Sequence, residues 1–295
     1  MRVLVTGASG FIAKHIVSDL LAAGHQVRAS VRSDKRQAEI ETIFPSADPA
    51  QLEFVRLDLT SDDGWGDALA GIDVLMHTAS PFPGEEPDDP QELIRPAVDG
   101  TMRALKAAQG AGVERVILTS SVAAVYKDGS ASPSAEVDEN NWTDPNAENV
   151  TAYTNYGTSL ELVDRFLQGT DPMIPNLTFS FVDVRDVSRI HVSAMNNPDS
   201  IGERYIAAAG MMSMPDAAKL LAAEFPERKI STRVAPDWFI RLTARFMPLL
   251  RSIAGNLGRT GTVNGSKATK EFGFEYIPVT ESILAAARFI DANSK

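Results

Sequence analysis

The chain contains no cysteine. That excludes disulfides, thiolate nucleophiles and Cys-ligated zinc or iron–sulfur centres together. Its four histidines, His15, His25, His77 and His191, are scattered without ligand spacing, so no histidine metal site is expected. Basic residues are outnumbered, 28 Lys and Arg against 39 Asp and Glu, for a net charge of −11. The deficit argues against nucleic acid as the main partner, because neutralising phosphates needs a basic surface. No apolar run approaches the roughly 20 residues needed to span a bilayer, and the chain opens on a strand pattern rather than a secretory leader. A soluble cytoplasmic protein with no membrane partner is therefore expected, and the sequons at Asn141, Asn149 and Asn176 are expected to carry no glycan. Lysine is missing over one long stretch, from Tyr153 to Lys219.

What is present suffices for a packed core: 44% of the 295 residues are hydrophobic and 23% charged. The first half alternates β-branched runs with helical patterns. "RVLVT", "HQVRASV", "LEFVRLDL", "DVLMHTAS" and "RVILTSS" read as strands. Between them lie helical stretches from Gly10 to Ala23, over "DKRQAEIETIF" and "DDGWGDALA", and from about Pro90 to Ala111. This spacing predicts βαβ units, hence a Rossmann-type, doubly wound parallel sheet with helices on both faces. After Ser121 the rhythm breaks, and residues 127–157 read as loop. A helix over about Ser159–Leu167, strands over "LTFSFVDV" and "ERYIAAA", a helix near Asp186–Met195 and one capped by Ser213 are expected next. Residues 1–157 with 176–209 are assigned to a dinucleotide-binding domain, and 158–175 with 210–295 to a smaller, mainly helical substrate lobe.

"VLVTGASGFIAKHIV" carries the most specific signal. Gly7 allows a tight strand-to-helix turn, Gly10 lets the backbone approach a pyrophosphate, and Ala13 permits close helix–strand packing. Ser9, Phe11 and Ile12 complete the turn, and the helix N-terminus supplies free N–H groups for the anion. The second strand then discriminates between nicotinamide cofactors. Val31 stands where an acid would hold the ribose 2′-hydroxyl of NAD, and Arg32, Lys35 and Arg36 follow it. A guanidinium suits a 2′-phosphate, so NADP(H) is expected. Asp58, with Leu59 beside it, is placed for the adenine amino group. Thr78, Ala79 and Ser80 are placed along the nicotinamide ribose.

These residues resemble an extended short-chain dehydrogenase/reductase. Within that superfamily the chain is most similar to the dihydroflavonol reductase, cinnamoyl-CoA reductase and methylglyoxal reductase group. The likeness rests on "VTGASGFIA", "VRASVRS", "HTASPF", "RVILTSSVAAVY", "NWTD", "IPNLTFSFVDVRDVSRIHVSAM" and "GERYIAAAG". It implies NADPH-dependent reduction of a small-molecule aldehyde or ketone by a monomer or homodimer. It also implies roles: Ser121 as the hydrogen-bond partner of the carbonyl, Tyr153 as proton donor, and Phe82 and Pro83 as one pocket wall.

The resemblance breaks at one place. The group needs a lysine one helical turn after the tyrosine, to lower the phenol's pKa from about 10 and hold the ribose. Here that position is Gly157, and the fourth residue after Tyr156 is Leu160. "AYT" runs almost directly into "NYGTSLELVDRFLQG", so the tyrosine helix and the strand after it are expected to be missing; a βαβ unit takes roughly 30 residues. Three explanations stand open: a segment omitted from an intact form, a deletion, or replacement by another element. Two further readings stay beside the reductase. One is an NADP-binding sensor or interaction protein that has lost proton transfer; the other is an NAD-dependent sugar-nucleotide epimerase or dehydratase, against which Val31 and Arg32 count.

Overall fold

The computed structural model describes residues 1–81, 89, 91–125, 135–143, 159–246, 254–258 and 261–294. The chain forms two compact units, Met1–Ser120 with Val184–Arg204, and Ser121–Asp183 with Tyr205–Lys295.

The first unit holds strands β1 (Arg2–Thr6), β2 (Gln26–Val31), β3 (Leu52–Arg56), β4 (Val74–His77) and β5 (Arg115–Leu118). They form one parallel sheet in the order β3-β2-β1-β4-β5. Its helices are α1 (Phe11–Ala22), α2 (Asp34–Ile43), α3 (Trp65–Leu69), α4 (Gln91–Gly110) and α6 (Val184–Asn196). Parallel strands must be buried on both faces, and alternation does this here. Val3, Val5, Val74 and Met76 join Ala13, Ile16 and Val17 of α1 and Met195 of α6 in one cluster. Leu4 and Leu75 join Trp65 and Leu69 of α3 and Ala104 and Ala108 of α4 in another. The sheet is thus the doubly wound, Rossmann-type one that the alternation of strands and helices predicts.

In the second unit, β6 (Thr178–Phe181) pairs antiparallel with β7 (Gly210–Ser213). Helices α5 (Ser159–Gln168), α7 (Met214–Glu224) and α10 (Val279–Asn293) enclose Val163, Phe166, Leu167, Leu221, Ile283 and Ala287; α8 (Asp237–Thr243) and α9 (Ser266–Phe272) complete this unit's described helices. Ser213 caps α7 as its sequence position implies, accepting from the Asp216 N–H at 3.1 Å.

One expected strand is absent. Residues 203–209 are not strand; β7 lies just beyond, at Gly210–Ser213. Side chains hold the middle of this stretch: Glu139 accepts from the Ile206 N–H at 2.9 Å, and the Tyr276 hydroxyl donates to the Ile206 carbonyl at 3.1 Å, while the Ala209 N–H already donates to Phe181 O at 2.8 Å. Tyr153, Gly157 and the wall residues Phe82 and Pro83 lie outside the described residues.

Candidate dinucleotide site

The turn after β1 is built backbone-first. Gly7 has φ +64°, a left-handed conformation that favours glycine. A Cβ on it would stand 3.0 Å from both Cα and Cβ of Ala79, so the ends of β1 and β4 touch here. The Gly7 N–H donates to the Ser30 hydroxyl at 3.1 Å, and Ala8 N–H to the Ser30 carbonyl at 3.0 Å. Gly10 then opens α1 in extended conformation, its N–H donating to Gly7 O at 2.8 Å. No side chain caps α1 and no acid occupies its first turn. The leading N–H groups, on Phe11, Ile12 and Ala13, are therefore left for an anion at the positive end of the helix. Ser9 is half-buried, Gly10 and Phe11 are exposed, and buried Ala13 packs in the core.

A second network fixes the other lip. The Thr6 hydroxyl accepts from the N–H groups of Thr78 and Ala79, each at 3.1 Å. Its one proton therefore goes to Nδ1 of His77, 2.9 Å away. This assigns His77 the Nε2–H tautomer, and that nitrogen is buried with no partner among the described residues. Burial pushes the His77 pKa down to about 4, so it is neutral at physiological pH. The Thr78 hydroxyl donates back to Thr6 O at 2.5 Å. Ser80 is exposed at the strand end.

On the β2 side, Val31 is buried and Arg32, Lys35 and Arg36 are exposed. The Arg36 guanidinium pairs with Glu39 at 2.8 Å and so is partly committed to its own helix. Asp58 accepts from the Thr60 N–H at 2.8 Å and the Thr60 hydroxyl at 2.7 Å. These bonds, with the charges of Arg32 and Arg103, hold its carboxyl below the usual range. Leu59 sits against Gly100 of α4, where an added Cβ would come within 2.9 Å of the Leu59 Cβ, and its carbonyl accepts from Arg103. The expected cofactor residues therefore fall at or just past the carboxyl ends of β1–β4 and on the first turns of α1 and α2. Ser30, Thr6 and His77, which the sequence pattern did not single out, hold the turn and the strand ends together; the hydroxyl of "VTG" was the available signal.

Ser121, first residue of the second unit, is exposed and opens the 3₁₀ turn Val122–Ala124. Its Oγ accepts from the Ala123 N–H at 3.2 Å, which leaves its own proton available to donate. Thr143 of "NWTD" ties the turn down, donating from its hydroxyl to Ala123 O at 2.6 Å and from its N–H to Ala124 O at 2.9 Å. In the first unit, Thr119 donates to Nε2 of buried His191 at 2.7 Å, while Nδ1–H of that ring donates to Val187 O at 2.8 Å. Burial, opposed by the Val187 bond, lowers the His191 pKa. Among the described residues no group of His, Asp and Glu could hold a metal, and no helix is long and apolar enough to cross a membrane.

A parallel sheet ordered 3-2-1-4-5, with a glycine turn and an uncapped helix N-terminus at its centre, defines a nucleotide-binding α/β protein. Residues 3–154 match the NAD dependent epimerase/dehydratase family, and the chain belongs to that family. It is 31% identical to cinnamoyl-CoA reductase 1 of Petunia hybrida, over 78% of this chain and 79% of that protein. It is 27% identical to the NADPH-dependent methylglyoxal reductase of Saccharomyces cerevisiae, over 96% of each. The crystal structure of the yeast methylglyoxal/isovaleraldehyde reductase complexed with NADPH superposes with a TM-score of 0.80 at 25% identity, covering 99% of both chains. The 342 aligned positions of the yeast sequence comparison exceed this chain's 295 residues by 47, so the alignment must pass gaps on this side.

Proposed function

We propose that the chain binds NADPH at the Gly7–Gly10 turn and reduces a small-molecule aldehyde or ketone to an alcohol. The observation that carries this reading is the fit of the turn. α1 presents its N–H groups with neither a capping side chain nor an acid in the way, and Val31–Arg32 replaces an acid with a guanidinium. Gly7, Ser9, Gly10, Phe11 and Ile12 would hold the pyrophosphate, and Arg32, with Lys35 and Arg36, the 2′-phosphate. Asp58 and Leu59 would meet the adenine; Thr78, Ala79 and Ser80 the nicotinamide ribose. Reductases of this kind among the relatives support the same reading.

When bound, the reduced nicotinamide supplies a hydride for the carbonyl carbon. Ser121, its Oγ held by Ala123 N–H, donates its hydrogen to the carbonyl oxygen and stabilises the charge that gathers there. Tyr153 gives the proton that makes this oxygen a hydroxyl. With Gly157 in the place of an ammonium, that position supplies no charge to activate the phenol as a donor. Cofactor affinity is thus expected to outlast turnover.

The missing lysine also favours a second reading, an NADP-binding sensor without turnover. NADPH oxidation followed by absorbance with a panel of aldehydes and diketones separates the two. Carbonyl-dependent oxidation supports the reductase; tight binding with no turnover on any carbonyl supports the sensor. The epimerase or dehydratase alternative predicts preference for NAD, contrary to the Val31–Arg32 pair.

A further inference from the structure

Helix α2 carries three acids, and each has a different partner. Asp34, in the first turn, pairs with Arg56 at the end of β3. Glu41 accepts from the Gln37 side chain at 2.8 Å. Glu39 accepts from the Arg36 guanidinium at 2.8 Å, three residues back along the same helix. Of the three, Glu39 is the one that engages a cation expected at the ribose 2′-phosphate.

The Arg36–Glu39 pair does little for the helix itself. It sets a cation toward the N-terminus of α2 and an anion toward the C-terminus, the order that the helix dipole disfavours. Its side chains are 49% and 31% exposed, and exposed ion pairs are weak. The surroundings of Glu39 are nevertheless strongly basic. The bond from Arg36 holds its carboxyl below the usual range, and the charges of Arg36, Lys14 and Lys35 add to this against the cost of desolvation. Lys14 belongs to α1, where its N–H donates to Gly10 O at 3.0 Å, so its charge comes from the helix whose start would hold the pyrophosphate. The Glu39 carboxylate therefore stands where the cations of α1 and α2 converge. Arg32 bears instead on Asp58, past the end of β3.

Given the NADPH binding proposed above, we propose that Glu39 is a specificity-determining residue of that site. Its carboxylate holds Arg36 when no 2′-phosphate is present, and the 2′-phosphate must displace it to gain that guanidinium. The exchange is chemically matched. A carboxylate and a phosphate are alternative bidentate partners for a guanidinium, and the phosphate brings about −1.5 to −2 charges against one. Arg32 thus supplies the main attraction for the phosphate, while Arg36 supplies only the excess of phosphate over carboxylate. NADH lacks the phosphate and leaves the pair intact. Glu39 accordingly keeps the preference for NADPH below what the cations of this corner would otherwise give.

Fluorescence titrations of the full chain with NADPH and NADH test the proposal through Glu39→Gln, which removes the charge at nearly constant shape and helix propensity. NADPH affinity is expected to rise about 2–5-fold, the scale of one exposed pair, with NADH affinity unchanged. A double-mutant cycle gives a second measurement. Arg36→Ala is expected to weaken NADPH binding less than about twofold in the parent, and to abolish the whole gain in the Glu39→Gln background. A role for Glu39 in helix stability alone would lower Tm and move both cofactors together. Unchanged NADPH affinity in Glu39→Gln, equal changes for both cofactors, or additive effects in the cycle overturn the proposal, and a parent that still prefers NADPH leaves the cofactor reading standing. A parent that binds NADPH no better than NADH overturns both.

Discussion

Gly7 and Gly10 stand three residues apart in one turn, yet the structure asks different things of them. At Gly7 a methyl group meets two obstacles. The φ of +64° costs an L-residue about 1–2 kcal/mol. The new Cβ would also lie 3.0 Å from the Ala79 backbone, which cannot swing aside as a flexible side chain would. Overpacking of this kind adds about 1–3 kcal/mol, so Gly7→Ala is expected to destabilise by about 2–5 kcal/mol. At about 2–4 °C per kcal/mol for a domain of this size, its Tm falls by roughly 4–20 °C. At Gly10, φ is −70°, and the nearest atoms to a Cβ are Gly7 O at 3.1 Å and the Ala13 Cβ at 4.0 Å. Gly10→Ala is therefore expected to cost under about 1 kcal/mol of stability, since only a small give of the turn is required. Its methyl nevertheless occupies the space the pyrophosphate needs, so NADPH affinity is expected to fall at least about tenfold. Thermal scans and NADPH fluorescence titrations on the two variants separate fold from ligand. A Gly7→Ala protein as stable as the parent, or a Gly10→Ala protein with unchanged NADPH affinity, refutes this account of the turn.

Replacing Arg32 with Ala removes a charged hydrogen-bond donor, worth about 1.5–3 kcal/mol. NADPH binding is then expected to weaken roughly 10–100-fold with NADH affinity little changed; equal losses for both cofactors would place the guanidinium elsewhere. Thr6→Val strands two N–H groups and the His77 Nδ1, so urea unfolding should show a loss of about 2–4 kcal/mol, with Thr6→Ser close to the parent. Stability is also expected to fall with pH between 6.5 and about 4. The unfolded chain protonates His77 from 6.5 downward while the folded chain resists until about 4. The loss reaches roughly 3 kcal/mol at 1.36 kcal/mol per pH unit, and a His77→Asn variant with an unchanged pH profile would remove His77 as its cause.

The first-unit sheet was legible because its signals are local and repeated. Each strand is a β-branched run before a turn, and the glycine spacing marks where β1 meets α1. The missed features depend on tertiary placement. "GERYIAAAG" has strand composition at Tyr205 and Ile206, but Glu139 and Tyr276 occupy its backbone groups, and the ladder starts only at Gly210. Arg36 reads as a phosphate ligand from its position after β2, yet a glutamate one helical turn on engages it. Ser30 cannot be assigned from sequence, because its role needs Gly7 brought across from the neighbouring strand. The bareness of Val116 and Leu118 is likewise invisible in "RVILTSS", which has the composition of a fully buried strand.

The two buried histidines indicate why binding and chemistry can part company in this chain. Thr6–His77 ties the end of β1 to that of β4, and Thr119–His191 ties the end of β5 to α6. The Thr6 proton selects the His77 tautomer and the Val187 carbonyl that of His191, and burial disfavours the charged form of both rings. A neutral imidazole adds no field of its own to a site meant for a multiply charged anion, while it fixes the strand ends on which that site stands. Among the described residues the lips of the proposed site are thus tied by atoms of the first unit, and because the family lysine would serve both phenol and ribose, Gly157 in its place is expected to reduce turnover more than dinucleotide affinity.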